Sequence, residues 1–183
     1  MVCFQVVCDS DLMIINCITK WPGSVHDARI LRESALFADL EGHPKPLSGY
    51  LLGDSGYMLR EWLLTPVINP QSQKEEAYNT AHCGTRCTVE RCIGVIKRRW
   101  HCLHTELRVA PAKACKVICA CFVLHNRATQ LHHPVPDEED EGPDDSQQDT
   151  SAAEDASGYS HATEHARVAA AKAARDSLIN NVF

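Results

Sequence analysis

The feature that most constrains this chain is where its charge lies. Residues 137–155 carry ten acidic side chains and no Lys or Arg. Such a stretch buries too little apolar surface to offset the entropy of ordering it. A packed domain must therefore be built from what precedes it. The reading divides the chain into a folded domain over 1–130, an acidic disordered linker over 131–160 and an Ala-rich, helix-compatible tail over 161–183. The first of these has the length of one ordinary domain. Residues 1–136 hold 15 basic and 12 acidic side chains, although the whole chain has a net charge of −6. A basic body beside an acidic tail hints at nucleic-acid contact.

Within the body, residues 2–8 are β-branched and aromatic, and residues 12–19 repeat that character around the turn chemistry of Asp9-Ser10-Asp11. Together they predict an antiparallel hairpin. Pro22-Gly23 breaks the chain. Ser24 then reads as the N-cap of a helix carrying Ile30, Leu31, Leu36 and Phe37, with Asp27 three residues on. Tyr50 to Gly53 reads as a buried strand ending at the acid Asp54. Leu63 to Ile68 reads as a further strand, which Pro66 marks as an edge. Val89, Ile93, Ile96 and Trp100 form a stripe that predicts a core-facing helix over 85–101, with Glu90 at its border. Pro111 opens a helix over 112–130 that is apolar nearly all round, which predicts a central position.

Ten cysteines raise the question of disulfides and zinc. No apolar run follows a basic N-terminus, so no signal peptide is expected. Several cysteines sit inside apolar periodic runs such as Val117 to Leu124. The reading is reduced cysteines acting as small hydrophobes. His82, Cys83, Cys87 and Cys92 cluster, but without the paired spacing of a structural zinc site. No apolar run is long enough to span a membrane.

A strand ending in an acid and a helix flanked by one suit a hard divalent cation, which takes oxygen ligands. Asp54 and Glu90 are the candidates, although acids at such places often only meet solvent or cap an element. Two such ions about 4 Å apart activate water and stabilise the leaving oxygen in phosphodiester cleavage. From Arg86 to Lys116 there are eight Lys or Arg and two acids. Arg86, Arg91, Lys97, Arg98 and Arg99 are candidates to hold a phosphate backbone; a solvated helix face is the plain alternative. His125 and Asn126 read as buried, satisfied groups.

Six ordered motifs add a resemblance. They are Lys20 to Ile30, Leu51 to Tyr57, Leu63 to Pro66, Tyr78-Asn79 with Ala81-His82, Val89 to Arg91 followed by Gly94 to Trp100, and Val123 to Asn126. In order and spacing the chain resembles PIF/Harbinger-type transposase-derived nucleases, from about residue 3 to 127. The resemblance implies a DDE nuclease-like domain over 1–130 with an α/β fold, an RNase H-like mixed sheet flanked by helices. It implies DNA as substrate, Mg²⁺ or Mn²⁺ as cofactor, a nuclear location and a Myb/SANT-like partner that reads the target sequence. Asp54 then matches the second acid of the triad and Glu90 the third, with His26 and Asp27 in support. Asp27 could equally do no more than favour the N-terminus of its helix.

The first acid of the triad is expected on a central strand just upstream of Met1. The resemblance therefore predicts a sheet lacking its first strand, with backbone groups left unpaired at about 1–3 kcal/mol each if buried. Three readings stay open: a metal-dependent DNA endonuclease, a catalytically inactive DNA- or protein-binding module, and a fragment that does not fold alone.

Overall fold

The computed structural model describes residues 2–22, 25–42, 48–105, 107–136 and 161–183. Ser24 and the acidic residues 137–160 lie outside them. The chain divides into two compact units, one of residues 1–34 and 87–146, the other of residues 35–86 and 147–183. The fold is mixed α/β. Among the described residues, the strands form two two-stranded sheets, one antiparallel and one parallel.

In the first unit, β1 (Val2–Cys8) pairs antiparallel with β2 (Ile14–Pro22), Val6 lying opposite Cys17. Asp9 makes the turn. Its Oδ1 accepts from the backbone N–H of Asp11 at 3.0 Å and of Met13 at 2.9 Å. Leu12 adopts a left-handed φ of 62° to close it. Helix α1 spans Asp27–Arg32 and starts with His26 at the cap position. The helix expected to run on through Phe37 stops here. Ser34 turns its Oγ back onto the Leu31 carbonyl at 2.6 Å, a side-chain bond that competes with helix continuation. Helix α2 (Ala35–Gly42) follows, in the second unit.

The long helix α3 runs from Gln73 to Arg99 and starts 12 residues before the sequence reading placed it. Its start is a reciprocal cap. Ser72 Oγ accepts from the Glu75 N–H at 3.3 Å, and Glu75 Oε2 accepts from the N–H of Ser72 at 3.2 Å and of Gln71 at 2.6 Å. Serine with a glutamate three residues on is the sequence signature of such a start. The buried face in the first unit centres on Cys92, Val95 and Ile96, while Val89 and Ile93 are half-buried. The stripe is turned toward Cys92 because the thiol behaves as a small apolar group. Helix α4 (Pro111–Gln130) buries Ala114, Ile118, Cys121, Phe122 and His125 on one face. Val123 and Leu124 are 68% and 50% exposed, so the helix is amphipathic rather than wrapped by core on all sides.

The first unit's core joins Ile14, Cys92, Ile96, Ile118 and Phe122, with Phe4, Val6 and Trp100 packed against it. Phe4 meets Phe122 edge to face at 5.4 Å. Two polar residues of α4 pin the hairpin to this core. Asn126 accepts from the Ile14 N–H and donates to the Ile14 carbonyl, both at 2.8 Å. His125 is fully buried, with Nε2 2.8 Å from the Leu12 carbonyl oxygen. The ring donates there, and burial pushes its pKa down from the usual value.

In the second unit, β3 (Leu51–Leu52) and β4 (Leu63–Leu64) pair in parallel. The strand expected to reach Ile68 ends at Leu64. Beyond it, the side-chain amide of Asn79 takes the place of a neighbouring strand, accepting from the Val67 N–H at 2.8 Å and donating to its carbonyl at 3.0 Å. Phe37, Leu40, Trp62, Leu63, Leu64 and Tyr78 are buried. Helix α5 (His161–Val182) belongs to this unit and is tied down by charge and backbone contacts. Glu164 receives the Arg60 guanidinium at 2.6 Å, Arg175 donates to the carbonyls of Thr65 and Pro66, and Lys74 donates to that of Asn180 at 3.0 Å.

The cysteine expectation holds for part of the set. Cys92 and Cys121 are buried, but Cys17, Cys83, Cys87 and Cys102 are exposed, and the nine thiols described are free. No helix of the described residues is long and apolar enough to cross a membrane.

Candidate active site

Asp54 stands two residues beyond β3, half-buried. The parallel ladder continues through Gly53, whose N–H donates to the Leu64 carbonyl at 2.9 Å, and so fixes where the next residue emerges. Asp54 Oδ1 then accepts from the Gly56 N–H at 2.8 Å, a turn that holds the carboxylate in one orientation. The site demands glycine at position 53. A Cβ there would sit 2.9 Å from Cδ2 of the Tyr57 ring. Gly53 and Tyr57 thus pack the back of the turn that presents Asp54.

His82, on α3, shares this electrostatic neighbourhood. It is 4% exposed, and its Nε2 lies 3.1 Å from the Leu64 carbonyl oxygen. Burial is the main force holding its pKa below the usual imidazole value; Arg86 and Arg175 act the same way, while the Leu64 carbonyl and Asp54 oppose them. The sequence reading weighed His82 for zinc and counted it in a motif, without linking it to Asp54. The link runs through β4, because pairing with β3 brings Leu64 beside the strand that ends at the acid.

In the other unit, Glu90 is exposed on α3. Arg91 is also exposed and donates to Thr88 Oγ1 at 3.3 Å, while Lys97 and Arg98 are half-buried. Arg99 differs from its neighbours. Its guanidinium donates to the carbonyls of His125 at 3.2 Å and His133 at 2.9 Å and to Thr129 Oγ1 at 3.3 Å. Those acceptors cap the C-terminal end of α4, so Arg99 joins the ends of two helices. His26 and Asp27 are exposed at the start of α1. The His26 carbonyl accepts from the N–H groups of Arg29 and Ile30, and the Asp27 carbonyl from the Gln5 side chain at 3.4 Å.

Asp54 belongs to one compact unit and Glu90 to the other. The donor chemistry of two carboxylates fits a hard divalent cation and not a soft one. Among the described residues, no group of three or more His, Cys, Asp or Glu side chains is arranged to hold a metal. That holds for His82, Cys83, Cys87 and Cys92 too.

A family model described as DDE superfamily endonuclease matches residues 1–126. Over 150 residues the chain is 39% identical to “Putative nuclease HARBI1” of Mus musculus, covering 76% of this chain and 42% of that protein. The Homo sapiens protein of the same name is 37% identical over 124 residues, 66% of this chain and 35% of the relative. “Protein ALP1-like” of Arabidopsis thaliana is 29% identical over 149 residues, 74% of this chain and 37% of the relative. The chain therefore spans well under half the length of these curated relatives. No solved structure matches.

Proposed function

The chain belongs to the DDE superfamily endonuclease family, as a transposase-derived nuclease domain, and from that premise we propose that it takes part in divalent-metal-dependent hydrolysis of DNA phosphodiester bonds, with Asp54 and Glu90 as metal ligands. The observation that carries the reading is the family match itself, which runs through both acids. The rigid presentation of Asp54 supports it. A carboxylate fixed by the Gly56 N–H and backed by a glycine–tyrosine contact is pre-set to receive a cation instead of reorganising for it.

Bound Mg²⁺ or Mn²⁺ would supply Lewis-acid stabilisation of the phosphate and an activated water. The chain's own residues do the rest. Asp54 and Glu90 contribute oxygen donors, and His26 and Asp27 stand in support at the head of α1. Arg86, Arg91, Lys97 and Arg98 neutralise backbone phosphates, a contact independent of base sequence. Arg99 acts one step away by fixing the end of the helix that carries Glu90. The same reading places the chain in an RNase H-like arrangement of the Harbinger type and in the nucleus. It works with a Myb/SANT-like partner that supplies sequence choice.

Titration of the full chain with Mn²⁺ by calorimetry tests this, beside Asp54→Asn and Glu90→Gln. Saturable binding lost in both variants is expected. Binding equal in all three proteins, or none in any, removes the metal assignment and leaves a DNA- or protein-binding module. A fluorescent DNA duplex then separates that module from a fragment with no nucleic-acid role.

A further inference from the structure

Strand β2 and helix α4 meet through sulfur. Cys17 and Thr19 are two residues apart on β2 and so share a face. Cys115 and Cys119 are one turn apart on α4 and so share another. The two faces touch: Cys119 Sγ lies 3.3 Å from Thr19 Oγ1, and the Cys115 thiol donates to the Thr19 carbonyl. The thiols of Cys17 and Cys119 are hydrogen-bonded to each other. Cys17 is exposed and Cys119 half-buried, so a small oxidant can reach this pair from solvent. Two other thiol contacts, Cys8 with Cys92 and Cys102 with Cys121, each include a thiol sealed in the core.

We propose that Cys17 and Cys119 form a reversible disulfide modification site, closed by a low-molecular-weight disulfide such as oxidised glutathione, that braces β2 against α4. The Cys17 thiolate attacks one sulfur of glutathione disulfide. A mixed disulfide forms and one glutathione thiolate leaves, taking up the proton that Cys17 gave. The Cys119 thiolate then attacks the Cys17 sulfur, forms the protein disulfide and releases the second glutathione. Two protein thiols lose two electrons, and one glutathione disulfide becomes two glutathione thiols. Burial, and then Cys119, raise the Cys17 thiol above its ordinary value. The first attack is therefore slow at neutral pH and quickens as pH rises.

The bridge would close a loop of about 100 residues, which constrains the unfolded chain strongly and raises Tm by roughly 5–15 °C. The experiment incubates the full chain with glutathione disulfide, blocks remaining thiols with iodoacetamide and sequences the peptides by tandem mass spectrometry. A Cys17–Cys119 linked peptide that dithiothreitol removes, with the Tm gain reversed in step, is expected. Cys119→Ser should strand glutathione on Cys17 with no bridge. Glutathione stranded on Cys17 in the unaltered chain overturns the proposal. So does Cys17 linked to another cysteine, or both thiols left free while exposed Cys83 and Cys87 react. The map of the unaltered chain decides the matter even if the variant fails to fold.

Discussion

Replacing Asn126 by alanine removes both bonds through which α4 grips the hairpin. The amide spans a sequence separation of 112 residues and satisfies the N–H and the carbonyl of Ile14, each at 2.8 Å. Ile14 is 9% exposed and sits in the first unit's core, so water replaces the lost partners poorly. Each net bond is worth about 0.5–1.5 kcal/mol, and each stranded, mostly buried group adds a penalty of about 1–3 kcal/mol at full burial. Partial access to water trims the sum, to about 2–4 kcal/mol. The Ile14 amide reports this locally. Its hydrogen-exchange protection, followed by NMR in the full chain, should fall by that amount. Asn126→Asp should be at least as damaging, because a carboxylate oxygen would then face the Ile14 carbonyl where a donor stood. A loss below about 1 kcal/mol in Asn126→Ala would refute the reasoning and leave the hairpin held by apolar contacts such as Phe4 against Phe122.

Gly53→Ala should cost about 1–3 kcal/mol by forcing the Tyr57 ring aside. Adding Tyr57→Ala should return part of that loss in denaturant melts, and an additive double variant would exclude the clash. Arg60 is 4% exposed between Glu41 and Glu164. Arg60→Ala should therefore lower stability by about 3–5 kcal/mol and open α5 to limited proteolysis; unchanged cleavage of α5 would show that its other contacts suffice. His82 and His125 both titrate below their ordinary value, chiefly through burial. With the folded pKa depressed, their contribution is present above about pH 6.5 and lost as pH falls through the folded value. Guanidinium melts between about pH 7.5 and 5.5 should show declining stability, and a flat profile would contradict these assignments.

The elements legible in the sequence are those whose signals are local. The hairpin shows as two β-branched runs around Asp9, whose side chain makes the turn it announces. The start of α4 shows as Pro111. The start of α3 was equally legible in Ser72 and Glu75, but the apolar stripe near its far end drew the boundary to residue 85. The elements that escaped depend on distant partners. Strand β4 looks six residues long until Asn79 stands in for the strand that Val67 would otherwise pair with. Nothing near Val67 carries that information. Val123 and Leu124 look like core because they are apolar, yet α4 has one buried face and they lie off it.

The same distinction runs through the candidate site. Asp54 was visible as an acid at a strand end and Glu90 as an acid beside an apolar stripe, since both signals need only neighbours in sequence. What surrounds them is set by pairing. The Leu64 carbonyl reaches both the Gly53 N–H and the His82 ring, so one backbone group couples the turn that presents Asp54 to the helix that carries His82. Arg99 makes the converse case. By composition it belongs with Lys97 and Arg98, yet its donors are committed to the end of α4, and burial lowers its pKa. A cation bound to protein carbonyls releases no counterion when DNA arrives, whereas a solvated one does. Lys97→Ala and Arg98→Ala should therefore each flatten the salt dependence of DNA binding by about one unit of slope. Arg99→Ala should leave that slope in place and lower stability instead. An Arg99 variant that shifted the slope like its neighbours, without loss of stability, would return it to the DNA-facing set.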